Sequence, residues 1–273
     1  GRGCCAPLPP RGRCAAARPP SGHPPVSQSR PVRIAIDARK LHDYGIGTYV
    51  RNLLRQLSRL DPDSAIHVIC RPGDAARVAE FGPNLSPVPT RPEPGAVADQ
   101  FVVPATLRRL GTQVYHTPHA MLPVARTCPA VVTVHDCVDL TFPQYAPGRI
   151  AQGLTKARMW SALHRSARIL TVSEASKRDV LCFFDVPAAK IAVIPNAIDD
   201  RFSQPPSAEE VQRVRERYQL HEEFVLYAGN VRPHKNLVRL IEALQQLRES
   251  SRFEALKLVI IGDEISRYPT LRR

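Results

Sequence analysis

Arg232, His234 and Lys235 lie within four positions of each other, in the stretch "YAGNVRPHKNLVRLI" that runs from 227 to 241. An apolar run, "FVLYA" at 224–228, predicts a buried strand before them. Leu237, Leu240, Ile241, Leu244 and Leu247 then recur at helical spacing, with Asn236 as the expected N-cap. The cations therefore precede a helix N-terminus, whose unpaired N–H groups and dipole also favour an anion. Phosphate is the natural ligand class, and a solvated basic loop is the competing reading.

His135 and Asp136 close the run "AVVTVHD" at 130–136. In a parallel sheet ligands bind beyond the carboxyl ends of the strands, so a histidine placed there is a candidate for hydrogen bonding to substrate. A ring satisfied by neighbouring backbone is the alternative. "TVSEAS" at 171–176 delivers Ser173 and Glu174 to a similar end, where capping the next helix is the preferred role. Gly45 and Gly47 in "DYGIGTYV" precede a helix and allow close backbone approach to a ligand or a simple loop-to-helix turn. They stand too far from the strand that ends at Asp37, and Val50 occupies the third glycine position, so a nicotinamide-dependent oxidoreductase is disfavoured.

The elements that must position these residues alternate. Strands are expected at 32–37, 65–70, 113–116, 130–136, 168–172 and 191–194, with helices at 47–60, 99–110 and 149–166 and one opening at Ser173. The proline-rich stretch 82–98 reads as a loop. This alternation implies parallel crossover units and a doubly wound α/β architecture. "PNAIDDRFSQPP" at 195–206 reads as a boundary, followed by a capping box at Ser207 and Glu210. The expected organisation is a disordered Pro/Arg-rich tail over 1–31, an N-terminal domain over 32–200 and a partial second domain over 201–273, whose βαβ unit buries too little to stand alone.

The chain has 273 residues and a formal net charge of +13, and Arg2, Arg11, Arg13, Arg18 and Arg30 supply five of those charges without an acidic neighbour in the tail. The remainder has neither an RNA-binding aromatic signature nor zinc-finger spacing, so nucleic acid is not the expected partner. Cys4, Cys5, Cys14, Cys70, Cys128, Cys137 and Cys182 form no C-x-x-C pair, which favours reduced thiols and no metal site. No apolar run reaches membrane-spanning length. The segment 148–168, with Lys156, Arg158, Arg165, Arg168, Trp160 and Leu163, reads either as a helix packed on the sheet or as a peripheral contact with an anionic membrane.

In order and spacing, "GIGTYVRNLL", "VVTVHD", "ILTVSEASKRDV", "VIPNAID" and "YAGNVRPHKNL" resemble the GT-B glycosyltransferases of the retaining glycosyltransferase family 4, especially its mannosyltransferase-like members. The resemblance covers about 32–273. It implies two facing Rossmann-like domains, the first on the acceptor side and the second binding a nucleotide-diphosphate sugar such as GDP-mannose, with no metal or other cofactor. It also implies that Lys235 and Arg232 neutralise the departing diphosphate beside Asn236, that Gly229 lets the backbone approach the donor, and that His135 orients the transferred sugar at the catalytic centre. Gly45, Gly47 and Asp136 then fall on the reaction-centre side. Asn230 stands where family members often carry arginine, and the family's paired donor-binding glutamates are expected beyond residue 273, so this stretch alone is expected to turn over little substrate. The expected acceptor is a glycan or lipid-linked glycan, in the cytoplasm or at the inner membrane face. A noncatalytic binding module derived from such an enzyme is the alternative.

Overall fold

The computed structural model describes residues 31–125, 127–145, 148–199 and 202–262, so the tail reading over 1–31 falls almost wholly outside the described residues. The first strands and helices are β1 (Arg33–Asp37), α1 (Tyr44–Leu60), β2 (Ala65–Cys70), α2 (Ala75–Ala79), β3 (Leu85–Pro89), α3 (Asp99–Arg109) and β4 (Val114–Thr117). They continue through β5 (Ala130–Val134), α4 (Val138–Thr141), α5 (Arg149–Arg165), β6 (Arg168–Thr171), α6 (Glu174–Phe183) and β7 (Ile191–Val193). All seven strands form one parallel sheet in the order β3-β2-β1-β4-β5-β6-β7. Chain order reverses between β1 and β4, which puts the topological switch there.

Side-chain alternation on the strands builds a core on each face. Ile36 of β1 packs with Val50 and Leu54 of α1 and with Ile66 and Val68 of β2, while Ala35 faces the other way into a cluster with Val103 and Leu107 of α3 and Tyr115 of β4. A third cluster joins Val132 and Val134 to Met159 and Leu163 of α5 and Val180 of α6. Each fully buried aliphatic side chain here contributes roughly 1.5–3 kcal/mol of transfer free energy.

Two strands differ from expectation: the one read as buried at 224–228 forms but leaves Val225 and Leu226 exposed, and another forms where none was expected. β3, "LSPVP", lies inside the stretch read as a loop, because two prolines argue against a ladder. The structure resolves the conflict by placing it at the sheet edge, where among the described strands it pairs with β2 alone.

The remaining elements are α7 (Ala208–Tyr218), β8 (Phe224–Gly229), α8 (Leu237–Arg248) and β9 (Lys257–Gly262). β8 and β9 pair in parallel as a separate two-stranded sheet. α7 starts with the expected capping box, the Ser207 hydroxyl accepting from the Glu210 N–H and the Glu210 carboxylate from the Ser207 N–H. No described helix is long and apolar enough to cross a membrane.

Candidate active site

At the switch, Asp37 ends β1 and is fully buried. Arg39 meets it with two donors, Nε to Oδ1 at 2.9 Å and Nη2 to Oδ2 at 2.5 Å, and donates from Nη1 to Asp99 Oδ1 at 2.5 Å and to the Pro92 carbonyl at 2.8 Å. Tyr115 donates to Asp37 Oδ2 at 3.1 Å, and His119 Nε2 lies 3.4 Å from that oxygen. Burial pushes the Asp37 carboxyl up, but the Arg39 and His119 partners outweigh it and hold the group well below the usual carboxylate range. This cluster ties the loops after β1 and β4 to the start of α3, and forms a rigid polar floor beneath the carboxyl ends of the strands.

Gly47 lies against the loop that follows β1. A Cβ there would strike the Leu41 carbonyl oxygen, so the close approach it permits is to the protein's own backbone, whereas a Cβ on Gly45 would meet nothing within 4 Å. With α1 seated this closely, Tyr49 reaches β5. Its ring stands edge-on to His135, centroids 4.9 Å apart at 86°, and its hydroxyl is 3.4 Å from Thr133 Oγ1. Thr133 also meets His116 Nε2 at 2.8 Å.

His135 Nε2 donates to the Pro118 carbonyl at 3.0 Å, and the His135 carbonyl accepts from the Ser176 hydroxyl at 2.8 Å. Burial lowers its pKa from the ordinary histidine value, opposed by the Pro118 carbonyl and Asp136 and reinforced by His119 and Lys40. Asp136 is exposed and accepts from the Val138 N–H, opening α4. Ser173 caps α6 by accepting from the Ser176 N–H at 3.0 Å, the role preferred from sequence.

In the second sheet, Gly229 ends β8 at φ +150°, a conformation open to glycine, and Gly262 of β9 lies so close that a Cβ would strike the Gly229 carbonyl. The chain then makes a 3₁₀ turn over Pro233–Lys235. Asn236 occupies the N-cap position of α8 in the left-handed region at φ +57°, and its side chain accepts no capping bond, so it serves there through backbone conformation. Arg232 and Lys235 are exposed. His234 stacks on Phe142, rings 6.1 Å apart and 19° from parallel, which joins this cationic turn to the segment following His135 and Asp136.

Sequence reasoning did not single out Arg39, Tyr49, His116, Pro118, Thr133 or His119. The "YHTPH" cluster, with two histidines at the end of an apolar run, was the available signal for part of this set. Among the described residues no group of three or more His, Cys, Asp or Glu side chains is placed to hold a metal ion.

The profile of Glycosyltransferase Family 4 matches residues 44–202, and that of Glycosyl transferases group 1 matches 209–271. The chain is 33% identical over 147 residues to O-antigen chain mannosyltransferase B of Escherichia coli, covering 54% of this chain and 38% of that protein. It is 29% identical over 84 residues to the serotype-specific mannosyltransferase WbdA of Escherichia coli, covering 30% of this chain and 10% of that protein. The chain thus spans well under half of these curated relatives. Among solved structures, a glycosyltransferase from Rickettsia africae ESF-5 superposes with a TM-score of 0.59 at 15% identity, over 89% of this chain and 63% of that one. Anabaena Alr3699/HepE in complex with UDP and glucose superposes with a TM-score of 0.62 at 13% identity, over 88% and 64%. The architecture is that of GT-B glycosyltransferases, one Rossmann-like half and part of a second, and the chain belongs to Glycosyltransferase Family 4.

Proposed function

We propose that the chain acts in transfer of a hexose, mannose or a close relative, from a nucleotide-diphosphate sugar to a glycan or lipid-linked acceptor, with retention of configuration and without a metal or other cofactor. The observation that carries this reading is the exposed Arg232 and Lys235 at the mouth of α8, joined through the His234–Phe142 stack to the His135 segment. Family membership supplies the reaction class, and the mannosyltransferase names of the sequence relatives favour that sugar.

In this reading residues 32–200 hold the acceptor and 201–273 contribute to the donor site. Lys235 and Arg232 stabilise the diphosphate as it departs, assisted by the start of α8 at Asn236. Charge grows on the leaving group as the donor bond breaks, so preorganised cations lower that barrier more than they tighten the ground state. Gly229 admits the donor to the backbone, Gly45, Gly47 and Asp136 border the reaction centre, and His135 orients the sugar. The leaving phosphate takes the acceptor hydroxyl's proton, so no protein base is assigned. The site works in the cytoplasm or at the inner membrane face, where Lys156 and Arg158 on α5, beside the exposed Ile150, Leu154 and Trp160, supply a peripheral contact with anionic lipid.

Calorimetric titration of the chain with GDP-mannose and UDP-glucose tests the reading. Binding of a nucleotide sugar that weakens by about tenfold or more in Lys235→Ala, with the melting temperature unchanged, is expected for loss of one charge-assisted contact. Binding unaffected by Lys235→Ala, with the variant folded, would sink it.

A further inference from the structure

The seven-stranded sheet has one crossover built differently from the rest. Among the described residues every other connection between consecutive strands of that sheet carries a helix, whereas 118–129, between β4 and β5, carries none. Ala130, Val132 and Val134 share one face of β5 by alternation. Ala130 joins the cluster under α3 and the two valines join the cluster under α5, so both helices lie on one side of the sheet with the helix-free connection between them. Leu122 packs on both clusters. The connection is tied to each helix: Gln100 Oε1 accepts from the Val124 N–H at 2.8 Å, and Arg165 donates from Nη2 to the Pro123 carbonyl at 3.1 Å. A slot of about 260 Å³ remains, bordered by Gln100, Met121, Leu122, Val124, Ala157 and Arg158.

Ile150, Leu154 and Ala157 recur at helical spacing on the face of α5 that enters the slot, and all three are exposed, as is Phe101 next to Gln100 on α3. The volume falls below the roughly 300–1,000 Å³ that compact small molecules occupy, which favours a narrow chain. Arg158 has no hydrogen-bond or ion-pair partner among the described residues, and the acid on the same lining, Asp99, is engaged by Arg39 and by the Gly95 N–H. An apolar wall with one uncommitted guanidinium matches a hydrocarbon that ends in phosphate.

We propose that this slot seats the aliphatic chain of a lipid-linked acceptor, with Arg158 meeting the phosphate at the head of the chain. α5 starts beyond the carboxyl end of β5 and descends towards the amino end of β6, so its exposed apolar stripe leads from the strand ends that carry His135 down into the slot. A bilayer surface does not enter a slot walled by two helices, and a free glycan has no apolar part to fill it. Calling the ligand an acceptor rests on the glycosyl-transfer reading; the seat for a long-chain phosphate rests on the geometry alone.

Farnesyl phosphate carrying a diazirine at the far end of its chain, kept below the concentration at which it forms micelles, is the probe. After photolysis, digestion and mass spectrometry, label is expected on 97–101, 121–124 and 154–161, displaced by unlabelled farnesyl phosphate and not by inorganic phosphate. Ala157→Phe, at an exposed helical position, fills the slot and should raise the half-saturating concentration by about tenfold or more, with Ala157→Leu in its place if the phenylalanine variant unfolds. Arg158→Ala should weaken farnesyl phosphate about fivefold and leave farnesol unchanged. Label confined to other segments, a folded Ala157 variant with unchanged saturation, or farnesol bound as tightly as farnesyl phosphate would overturn the proposal. Sedimentation with phosphatidylglycerol vesicles that survives Ala157→Phe, with no label in the slot, assigns this face to a membrane surface and overturns it too. The seat and the transfer reading fail separately, because the lipid probe does not use the donor turn and Lys235→Ala leaves the slot untouched. Label in the slot together with donor binding insensitive to Lys235→Ala keeps the seat and sinks only the transfer reading.

Discussion

His116 is buried in β4, and burial lowers its pKa to about 4, with His119 and His135 nearby adding to the effect. The unfolded chain takes up a proton near the ordinary value of 6.5. Its contribution to stability is therefore complete above pH 6.5 and is lost as pH falls towards about 4. The full loss is on the order of 3 kcal/mol, and His135 shifts in the same direction. Urea unfolding at about pH 7 and about pH 5 should show a fall of roughly 2 kcal/mol, most of which disappears in His116→Gln. A slope unchanged in that variant would assign the acid sensitivity to other groups. The cations at 232–235 were legible because strand, turn and helix signals are local in sequence. Tyr49 and Thr133 were not, because only the parallel register of the sheet brings residues 84 positions apart into contact.

At the scale of elements, α1 depends on one glycine and not on its neighbour. Gly47→Ala must displace the Leu41 backbone, so a loss of about 1–3 kcal/mol and a lower melting temperature are expected. Gly45→Ala enters open space in a helical position and should be neutral or stabilising by up to about 1 kcal/mol. Equal effects of the two would show that helix propensity, rather than close packing on Leu41, governs this segment. The sequence showed two glycines before a helix, and both readings of them concerned local geometry or a ligand. Which atom each glycine approaches follows from the path of the loop over Arg39, Lys40 and Leu41, which no local sequence signal fixes. The strand and helix periods, by contrast, revealed nearly every large element, since apolar runs of four to six residues bounded by turns have few other solutions.

The molecule as a whole is uneven in how well its parts are covered. Core strands such as β1 and β5 are closed on both faces, whereas β8 and β9 leave Val225, Leu226 and Ile261 exposed, and α7 leaves Val211, Val214 and Tyr218 exposed. Two strands with so little buried apolar surface are weakly held. Hydrogen exchange should therefore proceed much faster at 224–229 and 257–262 than at 33–37 and 130–134. Equal protection of both groups would mean that the two sheets open as one cooperative unit. If nucleotide sugar binds as proposed, its effect on exchange should be largest in the β8–α8 turn.

The edge strand β3 carries a further consequence. Thr90 donates its N–H inward to the Cys70 carbonyl, so by alternation the backbone nitrogens of Val88 and Ser86 also face β2, and those of Pro87 and Pro89 face outward. The outward nitrogens are the ones without hydrogen. A strand from a neighbouring molecule arriving at this rim would find carbonyls but, at two successive outward positions, nothing to donate in return. The rim acts as a terminator for sheet growth, and a concentrated solution of this chain is protected there against the edge-to-edge stacking that a seven-stranded open sheet otherwise invites.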